Sequence, residues 1–192
     1  MLQAVVLCVA QMEELAPLKA EIAMLKEKMA TQDATIAEII AASKQSGLPA
    51  EYPWVMLVVG AGMFVTSTLM GGIVMGARKT YNVQYPNLYA TPGHHEKADA
   101  FNRAQRGHQN MFETMSSVIV MALIGGLVYP RIAAGLAASY CIGNYGYLRG
   151  YSNLDKDVAG ARYTNPMAVL KPLGMMGCMI LSVVACYTML TQ

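Results

Sequence analysis

Between Pro53 and Ala77 the chain reads PWVMLVVGAGMFVTSTLMGGIVMGA, a stretch without one charged residue that Arg78-Lys79 closes. A helix needs roughly 20 apolar residues to cross the hydrocarbon of a bilayer, and about 17 is the lower limit. Three further apolar runs follow at Met111 to Tyr129, Ile132 to Leu148 and Leu173 to Leu190. Only Glu113 interrupts the second, near its start. In lipid the backbone must satisfy its own polar groups, so only helices and closed barrels span. None of these runs shows the two-residue alternation of a barrel strand. The sequence therefore predicts an all-α integral membrane protein, a four-helix bundle with spans at about 53–77, 111–129, 132–148 and 173–190.

Composition supports that class. Apolar residues make up 55% of the 192 residues and charged ones 14%, against about 25% charged in an ordinary soluble domain. A net charge of +2 is too small for a nucleic-acid binder. The four cysteines, Cys8, Cys141, Cys178 and Cys186, form no CxxC pair, and three of them lie inside apolar runs, where packing is their ordinary use. His94-His95 and His108 have no convincing ligand partner, so no metal site is expected.

The connections set the topology. Pro130-Arg131 leaves almost no room between the second and third runs, which predicts a tight hairpin. The links from about Arg78 to Asp99 and from about Gly150 to Asn165 are longer and polar. With their flanks they carry Arg78, Lys79, Lys97, Arg103 and Arg106, then Arg149, Lys156, Arg162 and Lys171. The excess of positive charge places both links in the cytosol and both chain ends across the membrane.

Ahead of the spans, residues 1–50 form an extension. Its opening, MLQAVVLCVA, is too short to span and lacks a basic leader, so an interfacial or packed start is expected. From Pro17 to about Ser43 the composition turns to alanine, lysine and glutamate. Leu15, Leu18, Ile22, Leu25, Met29, Gln32, Ile36 and Ile39 follow one another at alternating spacings of three and four. That repeat fits either a coiled coil or one amphipathic helix lying on a surface. Gly47-Leu48-Pro49 reads as the break before the first span.

The chemistry concentrates in FNRAQRGHQNMFE, Phe101 to Glu113. On a helix, Arg103, Arg106, Asn110 and Glu113 fall on one face. Snorkelling to the interface accounts for an arginine. It does not account for Glu113, which opens an apolar run and would cost a few kcal/mol against lipid unless paired inside. The third run offers a second stripe, Tyr140, Asn144, Tyr147 and Tyr151, again at helical spacing. Facing one another, the two stripes would supply guanidinium forks for carboxylates, a carboxylate for an amine, and phenols for orientation. The ligand such a pocket fits is small, zwitterionic and net anionic.

FNRAQRGHQNMFE, the preceding GARKTYNVQYP and the later YLRGY resemble the MAPEG family, the membrane-associated proteins of eicosanoid and glutathione metabolism. The pattern is most similar to the type 3 microsomal glutathione transferase branch. The resemblance covers about residues 52–192, and the first 50 residues lie outside it. It implies a homotrimer of four-helix protomers in the endoplasmic-reticulum membrane, although the extension could direct the chain to a plastid or another organelle membrane. Glutathione would be the co-substrate, bound near the cytosolic face between protomers. The partner substrate would be a lipophilic electrophile or a lipid hydroperoxide. Carried over residue by residue, the glutathione ligands are Arg78, Arg103, Arg106, Asn110, Glu113, Tyr147 and Tyr151. Arg162 takes the place of the arginine that stabilises the thiolate. The activity implied is that of a glutathione transferase with peroxidase activity. A leukotriene-C-synthase-like conjugase and a non-catalytic scaffold subunit are the alternatives.

The chain also departs from the family pattern. Asn144 stands where related synthases carry an arginine, Thr114-Met115-Ser116 replaces a Tyr-Pro pair, and Lys79 replaces a second arginine. The stretch YSNLDKDVAGAR is longer than in those synthases, which makes Lys156 the alternative to Arg162 at the thiol.

Overall fold

The computed structural model describes the backbone of residues 2–45 and 47–191, and side chains for 19–41 and 47–191. The described secondary structure is entirely helical. The chain divides into two compact units, Met1–Leu48 and Pro49–Gln192.

The first unit is one helix, α1 (Leu2–Gln45). It starts well before the Pro17 start expected from composition. Nothing between Leu2 and Ala16 is glycine or proline, so no backbone signal delays the helix. Its end is sharper. Gly47 adopts φ +69°, the left-handed conformation that glycine reaches without a Cβ penalty and that commonly closes a helix. The side chains of Leu15, Leu18 and Cys8 lie outside the described residues.

In the second unit, α2 (Tyr52–Leu57) and α3 (Met63–Thr80) join through a π-helical turn, Val58–Gly62. Pro53 sits in the first turn, where its missing N–H costs nothing. The three hydroxyls of Thr66, Ser67 and Thr68 bond back to carbonyls of the same segment, at Gly62 and Phe64. The segment therefore presents an apolar surface despite them. A long loop leads to α4 (Ala98–Gly126), and a three-residue turn leads on to α5 (Pro130–Tyr151), whose first residue is again proline. After a short helix, α6 (Val158–Ala161), and a 3-10 turn (Pro166–Val169), α7 (Leu170–Thr191) completes the chain.

Two helical stretches, Tyr52–Thr80 and Pro166–Thr191, are long and apolar enough to cross a membrane. The apolar core helix of a soluble protein is mostly buried. Here only 17% and 22% of the respective apolar windows are covered within the chain. Phe64 and Leu190, at 71% and 86% exposed, are extreme cases. Such a surface needs lipid or further protein against it.

Glycine decides how the helices meet. A Cβ at Gly143 of α5 would stand 2.0 Å from the backbone nitrogen of Lys171, and one at Gly174 of α7 would stand 2.4 Å from the nitrogen of Tyr140. One at Gly177 would meet Leu136 at 2.4 Å. Small residues let helix backbones touch in this way, which is how packing is won where lipid is as apolar as the side chains. Tyr140 adds a polar pin. Its hydroxyl donates to the Met111 carbonyl at 2.8 Å and shares a second bond with Thr114 at 2.8 Å, fastening α5 to α4.

Gly143→Ala forces backbone against backbone, whereas Gly135→Ala adds a methyl with nothing within 4 Å. Overpacking of this kind costs about 1–3 kcal/mol or more. Thermal unfolding in detergent should drop by several degrees for Gly143→Ala and stay within error for Gly135→Ala.

Candidate functional site

The polar stripe on α4 exists, but its members divide. Arg106, Asn110 and Glu113 come together. Arg106 forms an ion pair with Glu113 through Nη1 and Oε1, and Asn110 Nδ2 donates to Glu113 Oε2 at 3.2 Å. The hydrogen bond with Glu113 raises the Arg106 pKa above its ordinary value, so the guanidinium keeps its charge. Both side chains remain about 40% exposed at the surface of the single chain.

Arg103 turns elsewhere. Its side chain, only 11% exposed, pairs with Asp99 at 2.8 Å. Nη1 donates to the carbonyls of Asn153 and Lys156 at 2.9 and 2.8 Å, clamping the loop after α5 onto α4. Arg78 plays the same part in the first long link. Its Nη1 reaches the carbonyls of Val83 at 3.1 Å and Asn87 at 2.8 Å, and its guanidinium lies over the rings of Tyr85 and Phe101. Asn102 holds that loop from the other side through both polar atoms of Ala90, at 2.7 and 2.9 Å. The loop thereby brings Tyr89 to α4, where its hydroxyl bonds Gln109.

The tyrosine stripe divides as well. Tyr140 and Asn144 are fully buried between helices, and the Tyr140 hydroxyl is committed to α4. Asn144 donates to the Tyr140 carbonyl at 2.8 Å, while its Oδ1 has no partner among the described residues. Tyr147 and Tyr151 remain for the site. Their rings stack at 5.6 Å, Tyr163 meets Tyr147 edge-on at 6.0 Å, and the Arg162 guanidinium lies 5.8 Å from the Tyr151 ring centre. Arg162 itself is exposed, as is Lys156, whose backbone carbonyl is held by Arg103. A cleft of about 390 Å³ opens between Tyr89, Asp99, Asn102, Arg103, Arg106 and Tyr151.

The residue that sequence reasoning missed is Lys171. It is 6% exposed, bonds Asn110 Oδ1 through Nζ, and sits 4.1 Å from the Tyr147 ring centre. In the sequence it reads only as a topology-setting charge at the mouth of the last run. The pattern that reveals it is the spacing of Lys171, Gly174, Cys178, Ser182 and Ala185, the buried face of α7. A lysine in register with small residues points into the protein and not into lipid.

His108 points away from this network. It packs edge-on against Phe112 at 5.0 Å, and burial lowers its pKa, so the imidazole is neutral and adds no charge. Among the described residues no group of three His, Cys, Asp or Glu side chains could hold a metal ion.

The cluster thus offers an arginine and a lysine flanking one carboxylate, a carboxamide fixed between them, and two stacked phenols with a second arginine at their outer edge. Such a set carries charges of both signs, complementary to a molecule with carboxylates and an amine. Residues 56–190 match the pattern of the MAPEG family. The chain belongs to the MAPEG family, whose members include glutathione-dependent transferases, peroxidases and synthases.

The two Arg103 bonds to Asn153 and Lys156 are each worth about 1.5–3 kcal/mol for a charged donor. Arg103→Met should release the loop and raise its rate of limited proteolysis by tenfold or more. Helical content by circular dichroism should stay unchanged.

Proposed function

We propose that the protein is a membrane-bound glutathione transferase with glutathione-dependent peroxidase activity, of the type 3 microsomal branch. Four spans form each protomer, and three protomers assemble in the endoplasmic-reticulum membrane. The observation that carries this reading is the Arg106–Glu113–Asn110–Lys171 network beside Tyr147 and Tyr151 in a chain of this family.

Glutathione carries two carboxylates, one ammonium and a thiol, and the network matches it in sign. Glu113 receives the ammonium. Arg106 exchanges its ion pair with Glu113 for a glutathione carboxylate, and Asn110 donates beside it. Lys171 holds the Asn110 oxygen, so that the amide NH2 stays aimed at the Glu113 side of the site. Its buried charge also favours an anion next to Tyr147. An ion pair left about 40% exposed on an apolar helix is costly against lipid. A neighbouring protomer on that face removes the cost and completes the pocket.

Arg78 and Arg103 act through the loops they organise, which set the cleft wall. Arg162 is assigned to the thiol. A free thiol titrates near 8.5, and a guanidinium beside it favours the thiolate. Arginine stays protonated, so Arg162 works by charge and hydrogen bonding, with no proton transfer of its own. The thiolate attacks a lipophilic electrophile entering from the membrane, or reduces a lipid hydroperoxide.

The test uses purified protein in detergent, with glutathione conjugation and lipid-hydroperoxide reduction as assays. Absence of both activities in an intact trimer that binds glutathione overturns the enzymatic reading in favour of a scaffold role. Strong preference for an epoxide fatty acid over generic electrophiles would narrow it to a conjugase. Lys171→Met should raise KM for glutathione about tenfold or more, from loss of a charge-assisted bond, with a smaller change in kcat. Arg162→Ala should move the alkaline rise of the pH–rate profile up by about one pH unit, while Lys156→Ala leaves it in place.

A further inference from the structure

On α1, Ile22, Leu25, Met29, Ile36 and Ile39 are each between 45% and 63% exposed and form an apolar seam. Ile22, Met29 and Ile36 occupy position a of a heptad, and Leu25, Gln32 and Ile39 occupy position d. The charges flanking the seam then take defined places. Glu21 and Lys28 fall at g, and Lys26 and Asp33 fall at e. In a parallel, in-register pair of helices, each g residue faces the e residue five positions on in the other helix. Glu21 therefore faces Lys26, and Lys28 faces Asp33. Both pairs are of opposite sign, although the sign at g reverses from one heptad to the next.

We propose that α1 binds the α1 of a second copy of this chain, as a parallel coiled coil. The charge pattern is specific to self-recognition, because each g charge finds its opposite at the matching e position of an identical sequence. Geometry disfavours a flat surface as the alternative partner. A seam of period 3.5 drifts by about 20° per heptad around a straight helix, roughly 50° between Ile22 and Ile39. A plane cannot follow that drift, whereas two helices wound about each other keep the seam buried. Direction follows from the chain itself. Each α1 precedes the same apolar segment, so copies sharing one membrane enter it from the same side.

The experiment uses full-length protein in liposomes, with disulfide cross-linking read on non-reducing gels above the background of the native cysteines. Met29→Cys and Ile36→Cys, on the seam, should cross-link several-fold more than Glu27→Cys and Ala34→Cys on the opposite face. Glu21→Lys should lower the Met29→Cys yield two- to threefold at low salt, and adding Lys26→Glu should restore it. Equal yields on both faces, or no product at either, overturn the proposal. So does cross-linking confined to mixtures of Ile22→Cys with Ile39→Cys chains, which signals antiparallel pairing. Seam cysteines shielded from aqueous maleimide without cross-linking would assign the face to lipid and overturn it too. None of these readouts depends on glutathione or activity.

Discussion

The close approach of α5 and α7 is the contact on which the site depends. Gly143 and Gly174 let each backbone come within a Cβ's reach of the other. Lys171 lies in the first turn of α7, directly at the Gly143 contact. That position puts its stem between helices and its ammonium against Asn110 and Tyr147. With larger residues at these two glycines, α7 would stand off and the lysine would reach for water. One packing rule thus decides both a helix crossing and the presence of a buried charge. The cost of burying that charge is met by the Asn110 oxygen, the Tyr147 ring face and the nearby Glu113.

The second constraint is the exposed ion pair. Arg106 and Glu113 neutralise each other on the outside of a single chain. The arrangement makes sense as a resting state. On the proposed function, each group is held by the other until glutathione offers Arg106 a carboxylate and Glu113 an ammonium. The exchange conserves the number of charged contacts, so binding need not expose an unpaired charge at any point.

Much of this was legible in the sequence. The uncharged run from Pro53 fixes a membrane-length helix, the Pro130 hairpin sets α4 against α5, and the i, i+4, i+7 spacing gathers Arg106, Asn110 and Glu113. Periodicity assigns residues to a helix face, but the face of a bundled helix is divided among several neighbours. Arg103 shares the stripe and yet serves the loop at Asn153 and Lys156. Tyr140 shares the second stripe and yet is consumed by Met111 and Thr114. Lys171 escaped notice for the opposite reason. Its role depends on which residues of α5 are small, and that pairing is not local in the sequence.

Residual bonding capacity separates the groups that hold the fold from those available to a ligand. Arg78 and Arg103 direct their Nη1 donors at backbone carbonyls, and the Tyr140 hydroxyl makes two bonds inside the protein. Removing any of them releases a loop or a helix contact that it holds, which is a structural loss. Arg162, Tyr147 and Tyr151 differ, since their side chains meet through ring and guanidinium faces and make no hydrogen bond among the described residues. Arginine has five N–H donors and a phenol both donates and accepts, so these three keep almost all of their hydrogen-bonding capability for something outside the chain. Polar groups are scarce in this composition. A scarce group held close to others of its kind, with its bonds unspent, is where an outside molecule gains most by binding.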